Sequence, residues 1–162
     1  MPSDAKDIRA LLVRGAREEA RRDGSRTIEA EHVLIALAAT ETTSAAQMLA
    51  EVGLTEDAIR AALDREWEQS LAVAGIAVRV GLLPSATPNS GRDPQMGEST
   101  RLLLKRAMEA PPKLGGRIGP IRILVGILDT DRGRVARALE VAGVDRAALR
   151  AKAAEALSQG TR

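Results

Sequence analysis

Apolar residues recur at helical spacing through most of this chain, and the recurrence happens twice. Ile8, Leu11, Leu12, Ala16 and Ala20 follow the three- and four-residue steps of an amphipathic helix, which Gly24 ends. Residues 30–40 (AEHVLIALAAT) are almost wholly apolar after His32, as in a buried central helix. Ser44 is the expected cap of a third helix with Ala45, Met48, Leu49 and Val52 inward, and Gly53 closes it. Thr55 caps a fourth, with Ile59, Leu63 and Trp67 facing inward. The same plan returns further on. Leu102, Leu103, Arg106 and Ala107 begin a helix that Pro111 and Pro112 break early. Pro120 opens a buried helix (PIRILVGIL), residues 134–141 form the next, Gly143 closes it, and Asp145 caps a last helix running through Leu157.

The two halves align without a gap at a constant offset of ninety residues, 16–63 on 106–153. Eleven of those 48 pairs are identical, among them Glu19/Glu109, Ile28/Ile118, Leu34/Leu124, Thr40/Thr130, Leu49/Leu139, Gly53/Gly143 and Arg60/Arg150. Composition alone would give roughly 4, so the repeat is real and it decides the architecture. The expectation is an all-α, pseudo-twofold bundle of two four-helix repeats, about eight helices, forming one domain over residues 1–162. Repeat one spans 5–67, a long linker 68–97 and repeat two 98–157. Within the linker, residues 74–83 (AGIAVRVGLL) alternate like a short strand or extended segment, and residues 84–97 are rich in Pro and turn formers.

Composition then narrows the function. The chain has no Cys, no Phe and no Tyr, one His and one Trp. That excludes a disulfide framework and a thiolate metal site, and one His excludes an H-E-x-x-H zinc motif. No G-x-S-x-G elbow and no G-x-x-x-x-G-K-[ST] phosphate loop occurs, so the reading is a protein without catalytic residues, metal or cofactor. No apolar run approaches a membrane span, and the first residues carry no apolar signal core, which suits a cytoplasmic protein. The net charge of +2 conceals an imbalance: residues 1–63 carry −3, residues 64–98 carry −2 and residues 99–162 carry +7. A basic half raises the alternative of a nucleic-acid or acidic-partner surface using Arg101, Lys105, Arg106, Lys113, Arg117 and Arg122. Against it, no aromatic residue is available for base stacking and these residues share no single helix face.

Three stretches in the first copy carry a family resemblance: Glu18-Glu19-Ala20, Ile28-Glu29-Ala30-Glu31-His32-Val33-Leu34, and Ala45-Ala46 through Leu49 to Gly53. They resemble the Clp N-terminal domain, the Clp R repeat at the front of bacterial Clp unfoldases, here without an ATPase module. The resemblance covers residues 5–155 and is stronger in the first copy. It implies a protein-binding module of the Clp chaperone and proteolysis system, recruiting substrates or adaptors, or regulating or decoying an unfoldase. In some members each repeat also holds phosphoarginine, the Glu of the Glu-His pair taking the guanidinium and the start of a first helix the phosphate. Transferred to this chain, the ligand-binding candidates are Lys6, Ile8, Arg9, Glu31, Met96 and Arg101, with phosphoarginine or a small molecule as ligand at repeat one. The transfer is incomplete. Ala5, Lys6, Asp7 and Ile8 stand where the family has Phe-Thr-x-Arg, and Ile121 and Arg122 replace the Glu-His pair in copy two. The plainer role for Glu31 is to cap or charge the first turn of its helix, with His32 filling space beside it.

Overall fold

The computed structural model of the protein describes residues 14–88, 91–111 and 118–160. Among these the chain forms eight α-helices and one minimal sheet. Its order is α1 (Arg17–Arg22), β1 (Thr27–Ile28), α2 (Ala30–Ala39), α3 (Ser44–Glu51), α4 (Glu56–Val73), a 3₁₀ turn (Val80–Leu82), β2 (Gln95–Met96), α5 (Glu98–Glu109), α6 (Pro120–Leu128), α7 (Arg134–Val141) and α8 (Arg146–Gln159). This is the all-α bundle expected from the periodicity. The ninety-residue offset reappears in the helix starts: Ala30 and Pro120, Ser44 and Arg134, Glu56 and Arg146.

The two apolar helices α2 and α6 form the centre. Val33, Leu34, Leu37, Ile123, Leu124 and Val125 are all fully buried. Leu, Ile, Val and Ala fill the remaining core, consistent with close helix packing in a chain almost devoid of aromatics. α6 lies hard against α5 because position 126 is glycine. A Cβ there would collide with the Leu103 carbonyl and come within 2.9 Å of Ala107.

Local chemistry sets the helix ends. Thr55 and Asp145 accept from the Ala58 and Ala148 amides at 3.3 and 2.9 Å and start α4 and α8. Gly53 and Gly143 end α3 and α7 with φ of +78° and +71°, a left-handed turn that glycine adopts without steric cost. α5 ends at Glu109, just before the proline pair.

Several expectations shift. The cap of α3 is Thr43, not Ser44: its hydroxyl accepts from Ala46 N at 3.1 Å. Val52 and Trp67 were expected inward, and both are exposed. Val52 lies past the end of α3, where the chain turns out of the helix. On α4 the inward row is Ile59, Ala62, Leu63 and Glu66, so a carboxylate holds the place next to Trp67. Leu102 also faces outward, while Leu103 and Ala107 carry the α5 contact.

Residues 74–83 do not form a strand; the chain turns at Gly75 (φ +81°) and leads into the 3₁₀ turn, which Glu68 anchors by accepting from Val80 N at 2.7 Å. The sheet lies elsewhere. β1 and β2 pair in parallel, Thr27 with Gln95 and Ile28 with Met96. The described part of the linker wraps repeat one. Asp93 pairs with Arg21, and the Thr87 carbonyl packs so close to Gly24 (φ +66°) that a Cβ there would meet it at 2.6 Å. β2 then delivers the start of α5 to the start of α2.

Candidate functional site

The parallel pairing has a direct consequence for chemistry. It sets the N-terminus of α5, from the second copy, beside the N-terminus of α2, from the first. Two helix starts have unsatisfied amides, and here they satisfy each other. Ser99 Oγ accepts from Ala30 N at 2.8 Å, at the head of α2. The Glu29 carboxylate accepts from Ser99 N at 3.2 Å, at the head of α5, and also from the Ser99 hydroxyl. Thr100 Oγ1 donates to the Ile28 carbonyl at 2.6 Å and closes the seam. Burial pushes the Glu29 carboxyl up. The hydrogen bonds from the Ser99 and Thr27 hydroxyls and the Ser99 amide outweigh it and hold Glu29 below the usual glutamate range.

His32 is buried and bonded through both nitrogens. Nδ1 accepts from Glu29 N at 2.9 Å, which puts the ring proton on Nε2, 3.0 Å from Asp23. That hydrogen bond is the main reason the Asp23 carboxyl is held low, against the opposing effect of its burial. His32 thus ties α2 to the end of α1 and is a structural residue.

Glu31 neither caps its helix nor stands open. Arg134, from the start of α7 in the second copy, donates to it at 3.2 Å. Arg134 Nε also lies 3.5 Å from Glu66, a charge contact longer than a directed hydrogen bond. Arg137 donates to Glu66 at 2.7 Å and Ser70 donates to the same oxygen at 2.7 Å. The Glu66 side chain is only 3% exposed. Burial raises its carboxyl, and the hydrogen bonds from Arg137 and Ser70, with the charges of Arg137 and Arg134, reverse the sign and hold it low. Glu31, Arg134, Glu66 and Arg137 therefore form one chain of charges joining α2 and α4 of repeat one to α7 of repeat two.

Beside this chain lies a cavity of about 250 Å³ walled by both copies. Leu103, Ile127 and Val135 give it an apolar floor, and Glu31, Arg132 and Arg134 line its edge. Such a space, apolar below and carrying both charge signs at its lip, suits a polypeptide side chain or a small zwitterionic ligand. Among the described residues, no cluster of three or more His, Asp or Glu could hold a metal ion. No single helix among them is long and apolar enough to cross a membrane.

Of the residues singled out in the sequence, Glu31 lines this cavity. Met96 lies at the same end of the fold, paired in register with Ile28, and is 42% exposed. Arg101 projects from α5 into solvent, loosely opposite Glu98 at 3.9 Å, and does not line the cavity. Lys6, Ile8 and Arg9 lie outside the described residues. Ser99, Arg134 and the Glu66–Arg137 pair were missed, since each acts through a partner about seventy to a hundred residues away; Arg132, a lining residue of the cavity, was missed as well. The basic surface also changes. Arg122 is buried, donating to the Ala107 and Ala110 carbonyls at 3.2 and 2.6 Å, and serves the end of α5 rather than an outer face. Lys113 and Arg117 lie outside the described residues.

Residues 10–118 match the model of a family described as the Clp repeat (R) N-terminal domain. The match spans the first copy, the linker and the opening of the second. No curated protein matches the chain.

Proposed function

The chain belongs to the Clp repeat N-terminal domain family, and we propose on that premise that it is a non-catalytic protein-binding module of the Clp chaperone and protease system. In this reading it recruits substrates or adaptors, or regulates or decoys an unfoldase. The observation that carries the reading is the cavity between the copies. Its apolar floor and mixed-charge lip suit docking, and among the described residues that line it there is no His to serve as a general base.

The phosphoarginine reading takes a specific form here. The carboxylate of Glu31 already holds a guanidinium, that of Arg134. A phosphoarginine ligand would have to displace Arg134, whose released charge could then meet the phosphate. Affinity at this position should be weak in the native chain, and Glu31→Gln should abolish it.

A pull-down from bacterial lysate at low and high salt, with mass spectrometry of the retained proteins, tests the proposed function. Salt-resistant recovery of a Clp unfoldase, its adaptors or its substrates supports the module. Nucleic acid alone, lost at high salt, replaces it with the basic-surface alternative.

A further inference from the structure

The two copies treat one corresponding place in opposite ways. At the C-terminal end of α6, the chain covers its own carbonyls with a guanidinium. Arg146 donates to Leu128 O at 3.0 Å and to Thr130 O at 2.8 Å. Arg150 stands beside it, bound to Asp129 at 2.8 and 3.3 Å. Ninety residues earlier, at the C-terminal end of α2, the helices follow in the same order but the residues differ: α2 runs one residue further, and the Thr40 carbonyl, counterpart of the Thr130 carbonyl, accepts from the Thr43 amide and hydroxyl, both at 3.0 Å. Arg146 becomes Glu56 and Asp129 becomes Ala39. Arg60, the counterpart of Arg150, turns away to Glu19 at 2.6 Å and Glu56 at 2.8 Å.

What remains in the first copy is an open cavity of about 460 Å³ between the end of α2, α3 and the start of α4. Ala38, Ala46 and Leu54 lie along it, and Glu41, Glu56 and Asp57 add three carboxylates. Among the described residues no basic side chain lines it, and Glu41 and Asp57 join no ion pair. The Ala38 carbonyl, counterpart of the Leu128 carbonyl that Arg146 binds, accepts no hydrogen bond among the described residues.

We infer that this cavity receives the guanidinium of an unmodified arginine side chain presented by a partner polypeptide. The second copy shows which chemistry this position of the fold accepts. The negative end of the α2 dipole, the Ala38 carbonyl and the carboxylates of Glu41 and Asp57, with Glu56 shared with Arg60, suit a planar cation with several donors. The alanine-lined wall suits the aliphatic stem. Lysine would satisfy the charge but not the fork of acceptors. Phosphoarginine is the wrong ligand, because its phosphate would meet the carboxylates of Glu41 and Asp57, while Arg60 is already held by Glu19 and Glu56. The cavity is distinct from the one at Glu31, and this inference does not rest on the proposed role in the Clp system.

The test is a titration of the ¹⁵N-labelled full chain with N-acetyl-arginine amide and, separately, N-acetyl-citrulline amide, which keeps the shape without the charge. Saturable amide shifts centred on Ala38, Gln47, Leu54 and Asp57 are expected with arginine. Citrulline should bind at least about tenfold more weakly, the usual cost of losing charge-assisted hydrogen bonds. The double variant Ala39→Asp, Glu56→Arg copies the second repeat into the first and supplies an internal guanidinium. It should bind no added arginine. Should that graft fail to fold by circular dichroism, Glu41→Gln with Asp57→Asn, both at exposed positions, should weaken arginine binding about tenfold. Absence of saturable shifts, equal affinity for citrulline, shifts centred on Glu31, or full binding by the variants would each overturn the inference.

Discussion

Replacing Glu66 with Gln should loosen the seam between the repeats, and its size follows from the geometry. The side chain is almost fully buried and accepts from Arg137 and Ser70, both at 2.7 Å, with Arg134 at 3.5 Å. Gln keeps the volume and one acceptor oxygen but removes the negative charge facing two guanidiniums. Breaking a fully buried pair costs about 3–5 kcal/mol, and an exposed pair contributes about 0–1 kcal/mol. The arginine side chains here are 39% and 55% exposed, so water can take back much of their charge. The expected loss is about 2 kcal/mol, which for a chain of this size lowers Tm by about 4–8 °C. The acid dependence gives a second reading. The folded carboxyl is held below its ordinary value. Its contribution is therefore complete above about pH 4.3, the unfolded value, and is lost as pH falls through the lower folded value. Urea unfolding of wild type and Glu66→Gln at neutral pH, then at steps below pH 5, should show two curves that converge in acid. Equal stability at neutral pH, or a constant gap down to the lowest pH, would refute the reasoning.

Other outcomes follow from the same contacts. Gly126→Ala should destabilise by about 2 kcal/mol or more in thermal unfolding, although Ala normally improves a helix by about 1 kcal/mol, because the new Cβ collides with α5. Arg122→Met should cost about 2 kcal/mol by urea unfolding, since it frees the buried Ala107 and Ala110 carbonyls at the end of α5. A double-mutant cycle on Glu31→Gln and Arg134→Met should give a coupling of about 0.5–1 kcal/mol, as befits a partly exposed pair, and a value near zero would remove the ion pair from the account.

Helices were legible in the sequence because helix chemistry is local. Thr55, Asp145, Pro120, Gly53 and Gly143 announce ends within a turn of themselves, and the ninety-residue echo supplies the pairing of halves. The sheet was not legible. Two residues make no alternation, and the partner of Ile28 sits at Met96 across the linker. Glu66 shows the limit of pattern reading most clearly. Its place, seven residues after Ile59, belongs to the buried row, yet a carboxylate reads as surface until Arg137 is seen opposite. Trp67, the apolar neighbour, took the inward role in the reading for the same reason. The candidate site shared this fate. Glu31 stood out through its motif, whereas Arg134 and Ser99 meet it or its neighbours only after the chain has crossed from one copy to the other.

The central claim is that the cavity between the copies contacts the Clp machinery. A photo-crosslinking amino acid placed at Arg132, on the cavity lip, tests it in living bacteria, with one at Arg65, outside the cavity, as control. The account predicts adducts with a Clp unfoldase, its adaptors or its substrates from position 132 and not from position 65. Equal labelling from both positions, or adducts with nucleic acid alone, would contradict it.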